Sequence, residues 1–101
     1  MKVMNRSVAQ KNDLFRQTFI GCKVVMTEGV AHSSDRENVI GAVRSFSNFS
    51  EDNDPYQEHD FGSLEINSTT YFWKFDYYDD NYELYQEDGN RVLTIGRMDE
   101  Y

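Results

Sequence analysis

Cysteine and long apolar runs are scarce in this chain, and each scarcity excludes a class of protein. Cys22 is the only cysteine among 101 residues, so the chain can form no intramolecular disulfide and no cysteine-based zinc site. No apolar run reaches the roughly 18 residues of a membrane span, and residues 1–10 lack a secretory-type apolar stretch. We therefore expect a cytoplasmic protein without a membrane-spanning segment.

Basic residues are also scarce, and they are unevenly distributed. The chain has 10 Lys and Arg against 18 Asp and Glu, which gives a formal net charge of −8. Residues 1–50 hold seven basic and four acidic residues, a net charge of +3, whereas residues 51–101 hold three basic and 14 acidic residues, a net charge of −11. Because phosphate binding requires basic groups, this balance argues against direct binding of nucleic acid.

The chain is nevertheless apolar enough to fold. Its residues are 39% hydrophobic and 15% aromatic, which separates it from disordered acidic tails. The length predicts a single domain over residues 1–101.

Two helices are predicted from the spacing of apolar residues. Between residues 8 and 19 this spacing indicates a helix over about residues 5–17. Residues 34–37 (SDRE) have the sequence of a capping box, in which a serine hydroxyl and a glutamate carboxylate each accept a backbone N–H. Apolar residues then recur at helical spacing from 39 to 49, so we expect a second helix over about residues 35–49.

The remaining pattern is typical of β-strands. The predicted strands are residues 23–27, 60–67, 70–78 and 91–98. Residues 67–69 are short enough to join the second and third strands as a hairpin. Alternation in the third strand places four aromatic residues on one face, where they can carry a core: Tyr71, Trp73, Phe75 and Tyr77. The expected fold is α+β, a mostly antiparallel sheet of about four strands with two helices packed on one face.

Four sequence blocks are more distinctive than the composition. They are residues 12–19 (NDLFRQTF), 53–62 (NDPYQEHDFG), 72–78 (FWKFDYY) and 91–95 (RVLTI). In this order they resemble a bacterial family catalogued as domain of unknown function 3768, in which glycine usually occupies the positions of Cys22 and Gln57. The resemblance implies no assigned activity. It implies a small bacterial protein of a kind often encoded on plasmids, prophages and other mobile elements, which favours an accessory or anti-defence role.

Asp54, Glu58, His59 and Asp60 form the densest cluster of potential metal ligands. Carboxylates and an imidazole can hold a divalent cation that activates water, as a small metal-dependent hydrolase requires. The alternative is a structural interpretation without a metal, in which Asp54 caps a turn before Pro55, Glu58 is solvated, and His59 hydrogen-bonds the loop to the sheet. No phosphate-binding loop or zinc-protease motif accompanies the cluster, so the structural interpretation is favoured and no cofactor or metal is predicted.

Cys22 and His32 are the other residues with chemical potential. The spacing favours Cys22 as a small buried hydrophobe in the first strand, because a nucleophilic thiol would need a base such as His59 beside it. His32 precedes the capping box without an obvious partner, which is typical of a loop residue.

Residues 76–88, called the tyrosine/acid segment below, contain six acidic residues and four tyrosines. The ligand order and central glycine of an EF-hand are absent, so a calcium site has little support. The segment is either a solvated connection whose tyrosines pack on the sheet, or an interaction surface. Tyrosines supply contact area and clustered carboxylates attract a Lys/Arg-rich partner. The predicted contacts are Tyr78, Asp79, Asp80, Tyr82, Glu83 and Tyr85.

These features favour a non-enzymatic acidic binding protein. Its expected partner is a protein with a Lys/Arg-rich surface, such as a bacterial nucleic-acid-handling complex, and the mobile-element resemblance extends this to an anti-CRISPR-like inhibitor. The alternatives are the metal-dependent hydrolase built on residues 54–60 and an accessory subunit that pairs with a copy of itself.

Overall fold

The computed structural model describes residues 6–101, and this part of the chain contains a four-stranded sheet and three α-helices. The elements are α1 (Arg6–Thr18), β1 (Lys23–Met26), α2 (Glu28–Ala31), α3 (Arg36–Arg44), β2 (Phe61–Ile66), β3 (Thr69–Tyr78) and β4 (Asn90–Arg97). The α+β class and the strand count are confirmed, while the expectation of two helices is wrong because α2 forms between β1 and α3. No helix within residues 6–101 is long and apolar enough to cross a membrane.

The sheet is mixed, which corrects the mostly antiparallel expectation. Its strand order is β1-β4-β3-β2, in which β2–β3 and β3–β4 are antiparallel pairs and β1–β4 is a parallel pair. In the parallel pair Val24 lies opposite Leu93 and Met26 lies opposite Ile95. Apolar alternation tells which face of a strand is buried, but it carries no information about strand direction.

The predicted hairpin between β2 and β3 forms with a two-residue turn. Ile66 pairs with Thr69, and the intervening Asn67 and Ser68 have φ angles of 48° and 67°. Positive φ at both central positions is the geometry of a type I′ turn, whose twist matches that of the flanking strands.

The aromatic face of β3 carries the core as predicted. Tyr71, Trp73, Phe75 and Tyr77 have relative exposures of 2%, 0%, 4% and 8%. The same cluster includes Leu93 and Ile95 of β4, and from the helices Val8, Val30, Val39 and Val43. Whether the helices share one face of the sheet remains a prediction.

Helix α3 begins one residue later than the capping-box prediction, and the box does not form. The residue before the helix is Asp35, which makes no side-chain capping hydrogen bond. Its carboxylate instead accepts a hydrogen bond from Asn67 Nδ2 in the β2–β3 turn, at 2.8 Å. The Asp35 backbone N–H donates to the Ser33 hydroxyl. The residue at the start of α3 is therefore Asp35 rather than the predicted Ser34, and its carboxylate makes a tertiary contact instead of a local cap.

Helix α3 also ends at Arg44, five residues earlier than predicted, because Arg16 of α1 reaches its last turn. The Arg16 Nε donates to the Val43 carbonyl at 3.0 Å, and Nη2 donates to the Phe46 carbonyl at 2.7 Å. The Val43 carbonyl lies in the last turn and also accepts the Phe46 N–H at 3.2 Å, while the Phe46 carbonyl lies just beyond the helix, so the guanidinium acts as a C-terminal cap supplied by another helix. Phe46, freed from the helix, packs edge-on against Trp73.

The guanidinium of Arg16 is almost completely enclosed. Arg16 is 1% exposed, its Nη1 donates to Asp13 Oδ1 at 3.0 Å, and its Cζ lies 4.9 Å from the centre of the Trp73 ring. Burial lowers the pKa of Arg16, and the nearby Asp13 carboxylate opposes this shift. Each of the three guanidinium nitrogens donates a hydrogen bond, so no neutral side chain can replace all of the contacts of Arg16.

The 3₁₀ turn Met98–Glu100 is fastened to the start of α2. The Glu100 carboxylate accepts hydrogen bonds from the Thr27 hydroxyl, the Gly29 N–H and the Arg97 N–H. These three bonds lower the pKa of Glu100. This contact anchors the end of β4 beside the short helix that the sequence did not predict.

The substitution Arg16→Met is expected to lower the free energy of unfolding by about 3 kcal/mol, because the Phe46 carbonyl and the Asp13 carboxylate each lose a hydrogen bond and the Val43 carbonyl keeps that of the Phe46 N–H alone. Urea denaturation followed by Trp73 fluorescence measures this change. The control is Arg36→Met, whose side chain is half exposed and lies 3.7 Å from Glu37, and it should change stability by less than about 0.5 kcal/mol. Equal losses in the two variants would contradict the capping role.

Candidate functional site

The connection between β3 and β4 is shaped from within by Asp79. Its Oδ1 accepts hydrogen bonds from the backbone N–H groups of Asn81 at 3.2 Å and Glu83 at 3.1 Å. Its own N–H donates to the Leu84 carbonyl at 2.8 Å. The loop is therefore closed on itself, with Tyr82 in the left-handed region at φ 58°.

After this closed loop the chain returns to the edge of β3. Tyr85 forms an isolated antiparallel bridge with Tyr78, and the Gln86 N–H lies 3.4 Å from the Tyr77 carbonyl. The rings of Tyr77 and Tyr85 meet edge to face, with centroids 6.5 Å apart. These contacts give the tyrosine/acid segment a defined position against the sheet.

The tip of the segment combines apolar, aromatic and acidic groups at the surface. Leu84 is 70% exposed and Tyr85 is 72% exposed, and the side chains of Asp80 and Glu83 are exposed as well. Tyr82 is 36% exposed, and Lys23 Nζ lies 3.7 Å from the centre of its ring. Sequence reasoning missed Leu84, although an apolar residue within an acidic, tyrosine-rich connection was a signal available to it.

The six predicted contact residues divide into two groups. Asp80, Tyr82, Glu83 and Tyr85 present side chains at the surface. Tyr78 and Asp79 are half-buried and hold the loop in shape through the bridge to Tyr85 and the bonds to the loop N–H groups. The first group can contact a partner directly, while the second group positions it.

Asp88, at the end of the segment, is engaged within the chain. Its carboxylate accepts hydrogen bonds from Lys11 Nζ at 2.8 Å and Arg91 Nη2 at 2.6 Å. These two bonds, with Lys11 the larger cause, lower the pKa of Asp88. The carboxylate thus joins α1 to β4.

Behind Asp88 lies a buried polar network centred on Asn12 of α1. Asn12 is 0% exposed, and its Oδ1 accepts from Arg91 Nε at 2.9 Å. Its Nδ2 donates to the Tyr77 hydroxyl at 2.8 Å and to the Glu58 carbonyl at 3.0 Å. Burial raises the pKa of Tyr77, and the Asn12 hydrogen bond opposes this shift. One amide therefore joins β3, β4 and the loop before β2.

A second candidate site surrounds His59. The His59 Nδ1 lies 2.9 Å from the Asp13 carboxylate, and Nε2 lies 3.4 Å from Asp54 Oδ2. The Phe49 ring stacks on the imidazole with centroids 3.8 Å apart. A groove of about 790 Å³ opens beside these residues, and Gln57 lies on its wall. We expected His59 to hydrogen-bond its loop to the sheet. In the structure His59 instead ties this loop to α1 through Asp13.

The turn that leads to His59 has left-handed backbone at two positions. Gln57 has φ 55° and His59 has φ 53°, a region that glycine occupies without strain. Asp54 stabilises this turn, because its Oδ1 accepts the His59 N–H at 3.0 Å while its carbonyl accepts the Gln57 N–H at 3.1 Å. Asp54 therefore caps a turn as predicted, but the turn contains Pro55 instead of preceding it.

The four predicted metal ligands point into two different cavities. Asp54 and His59 line the groove beside α1, whereas Glu58 and Asp60 line a separate cavity of about 480 Å³ at the edge of β3. Within residues 6–101, no three His, Cys, Asp or Glu side chains are grouped so that they could hold a metal ion.

Cys22 and His32 take no part in either site. Cys22 lies just before β1, is half-buried and packs against the core. Burial raises the pKa of its thiol, with Arg91 opposing the shift, so the reactive thiolate is disfavoured. His32 follows α2, and its N–H donates to the Glu28 carbonyl.

Comparison with known proteins gives a family and nothing more specific. The sequence model of the family described as Protein of unknown function (DUF3768) matches residues 26–100. The match contains three of the four distinctive blocks, and the block at residues 12–19 lies before it. No curated protein and no solved structure matches the chain.

The substitution Asp79→Ala is expected to open the loop, because the N–H groups of Asn81 and Glu83 lose their shared acceptor. Hydrogen exchange measured by NMR should show faster exchange at both amides. The neighbouring variant Asp80→Ala, which removes an equal charge from an exposed position, should leave both rates unchanged. Identical rates in the two variants would show that Asp79 does not shape the loop.

The lowered pKa of Asp88 makes part of the stability depend on pH. A carboxyl whose pKa is lower in the folded state stabilises the fold above its unfolded pKa, and this contribution disappears as the pH falls through the lowered value. The stability difference between the natural chain and Asp88→Asn should therefore be largest at neutral pH and shrink in acid. Urea titrations across this range measure it, with Glu87→Gln as the control for the loss of one charge. A difference that does not change with pH would contradict the prediction.

Proposed function

We propose that this chain, which belongs to the DUF3768 family, is a non-enzymatic acidic binding protein whose tyrosine/acid segment engages a Lys/Arg-rich surface of a partner protein. The observation that carries the proposal is the exposed tip of a loop that is closed by Asp79 and bridged to β3. A preshaped loop loses little conformational freedom on binding.

The composition of the tip suits a protein partner. Leu84 and Tyr85 offer apolar and aromatic area, while Asp80 and Glu83 stand beside them. Tyrosine buries a large surface for few rotatable bonds, and flanking charges steer a partner of opposite sign. The net charge of −11 over residues 51–101 gives this half of the sequence the same sign as the tip.

In this proposal one face of the sheet carries the core and the opposite face contacts the partner. Trp73 lies on the face of β3 that carries the core, where Val39 and Val43 of α3 join the same cluster. Tyr78 belongs to the alternate set of β3 residues, so it lies on the other face, next to Tyr82 at a ring distance of 6.3 Å. This face would then continue the binding surface of the loop.

The negative charge of the proposed binding surface indicates the class of partner. Basic surfaces of this kind hold phosphates in nucleic-acid-handling complexes, and a carboxylate-rich protein competes for the same residues without binding nucleic acid itself. In its narrower form the proposal is anti-defence: the protein inhibits a bacterial effector complex, such as a CRISPR effector, in the cytoplasm.

Affinity capture from a bacterial lysate with the full chain as bait tests the proposal. The expected result is capture of a basic, nucleic-acid-binding protein that is released as the salt concentration rises. The double variant Asp80→Asn/Glu83→Gln should capture much less of it.

The matched control is Glu51→Gln/Asp52→Asn, which removes the same charge from exposed positions in another loop. It should capture the partner as the natural chain does. A complex that is indifferent to salt, or that weakens equally in both double variants, would count against the proposed surface.

A further inference from the structure

The outer edge of β2 is the longer of the two outer edges of the sheet. In the strand order β1-β4-β3-β2, the terminal strands β1 and β2 each pair with a single neighbour. β1 has four residues, whereas β2 has six. Of the two terminal strands, β2 therefore offers more unpaired backbone to a further strand.

The pairing with β3 shows which backbone groups of β2 are already used. The two-residue turn makes Ile66 and Thr69 a hydrogen-bonded pair. At the other end of the ladder, just before β2, the Asp60 carbonyl accepts the Phe75 N–H at 2.8 Å. Because backbone groups alternate in direction along a strand, both ends place the even-numbered residues toward β3.

The odd-numbered residues of β2 direct their backbone groups away from β3. These residues are Phe61, Ser63 and Glu65, which together present three N–H and three C=O groups. Within residues 6–101, none of these six groups has a hydrogen-bond partner. The outer edge of β2 is thus a row of unpaired donors and acceptors at strand spacing.

The edge of β2 also lacks the features that keep copies of a protein apart. Edge strands are commonly protected by a lysine, a proline or a β-bulge. β2 contains neither lysine nor proline, and its register with β3 continues from Phe61 to Ile66 without a bulge. The side chains of Ser63 and Glu65 are exposed. The edge is therefore open to a further strand.

The edge of β2 carries little of the negative charge that surrounds it in the sequence. Glu65 is the one charged residue of β2, although residues 51–101 hold 14 acidic residues. When two copies of β2 pair antiparallel with Ser63 opposite Ser63, each Glu65 lies opposite Phe61 of the other copy. No two carboxylates then face each other directly, and all six outward groups of each copy are paired.

The same arrangement keeps the two tyrosine/acid segments apart. Ser63 pairs with Phe72 of β3, and the segment returns to β3 where the Gln86 N–H meets the Tyr77 carbonyl. The five residues from Phe72 to Tyr77 span about 17 Å, so a two-fold axis at Ser63 places the segments about 30 Å apart in opposite directions. This separation exceeds the Debye length of about 8 Å at physiological ionic strength, so their repulsion is largely screened.

We propose that this protein forms a homodimer in which two β2 strands pair antiparallel about Ser63, joining two four-stranded sheets into one. A row of outward N–H and C=O groups is matched by another extended backbone. A second copy supplies it because the edge is self-complementary, as an interface with two-fold symmetry must be. The homodimer goes beyond the proposed function and does not depend on it.

Sedimentation velocity of the full chain over a range of concentrations tests the dimer. The natural chain should be dimeric at high concentration and dissociate on dilution. Ser63→Pro removes one outward N–H and should be monomeric at every concentration. Its fold should persist, because an edge strand accepts proline where the N–H faces solvent. The matched control Ser63→Ala keeps the N–H and should dimerise as the natural chain does.

A pair of charged variants tests the register without proline. Ser63→Lys and Ser63→Asp each place like charges opposite each other at the two-fold axis, so each variant alone should be monomeric at low salt. Mixing the two variants should restore a dimer, because opposite charges then face each other. A mixture that remains monomeric would overturn the pairing about Ser63.

Hydrogen exchange measured by NMR locates the interface on the natural chain. The amides of Phe61, Ser63 and Glu65 should exchange at least about tenfold more slowly in a concentrated sample than in a dilute one. The amide of Leu64, which faces β3, should show no such change.

Three outcomes would overturn the homodimer. The first is a natural chain that is monomeric at all concentrations, and the second is a dimer that persists in Ser63→Pro with the three amides unprotected. The third is protection of these amides only when a different protein is bound, which would assign the edge to a foreign strand. None of these results alters the expected capture of a basic partner through Asp80 and Glu83.

Discussion

The buried guanidinium of Arg16 is the interaction on which the rest of the structure depends. By donating to the carbonyls of Val43 and Phe46, it ends α3 and turns the following chain across the sheet. Phe46 and Phe49 can then pack edge-on against Trp73, and Phe49 provides the surface on which His59 stacks. Without Arg16 the Phe46 carbonyl would lose the hydrogen bond that the guanidinium donates to it, which is costly for a partly buried polar group.

The same helix positions both candidate sites through neighbouring residues of α1. Asn12 joins the Tyr77 hydroxyl to the Glu58 carbonyl, and Asp13 holds His59 beside the groove that Gln57 also lines. A helix that supplies two buried polar side chains, Asn12 and Arg16, to a protein interior stabilises specific partners and disfavours other arrangements. The loop segments with functional potential are thereby carried by a rigid element, as binding surfaces generally are.

Sequence patterns predicted the elements better than their ends and partners. The alternation of residues 70–78 identified the core face of β3, because the period of a strand is local. The end of α3 was mistaken because apolar spacing continues to Phe49, and the capping donor is 27 residues away from Val43 in the chain. The predicted capping box, with Ser34 as the cap residue, was mistaken because the helix begins one residue later, after Asp35, whose carboxylate accepts a hydrogen bond from the distant Asn67. In the tyrosine/acid segment, composition marked the region but could not separate Asp79, which faces the loop N–H groups, from Asp80, which is exposed.

The sequence by itself determined the class of fold, the position of the strands, the aromatic core and the concentration of negative charge in residues 51–101. These properties depend on the local period of apolar residues and on composition, both of which are present in the sequence before it folds. Only the tertiary structure decided that β1 runs parallel to β4, that residues 58–60 divide between two cavities, and that Tyr77 and Tyr85 meet beside Glu58 and Asp60. Each of these depends on contacts between distant residues, whose direction and distance are set by packing and hydrogen bonding and are not encoded in any short stretch of sequence.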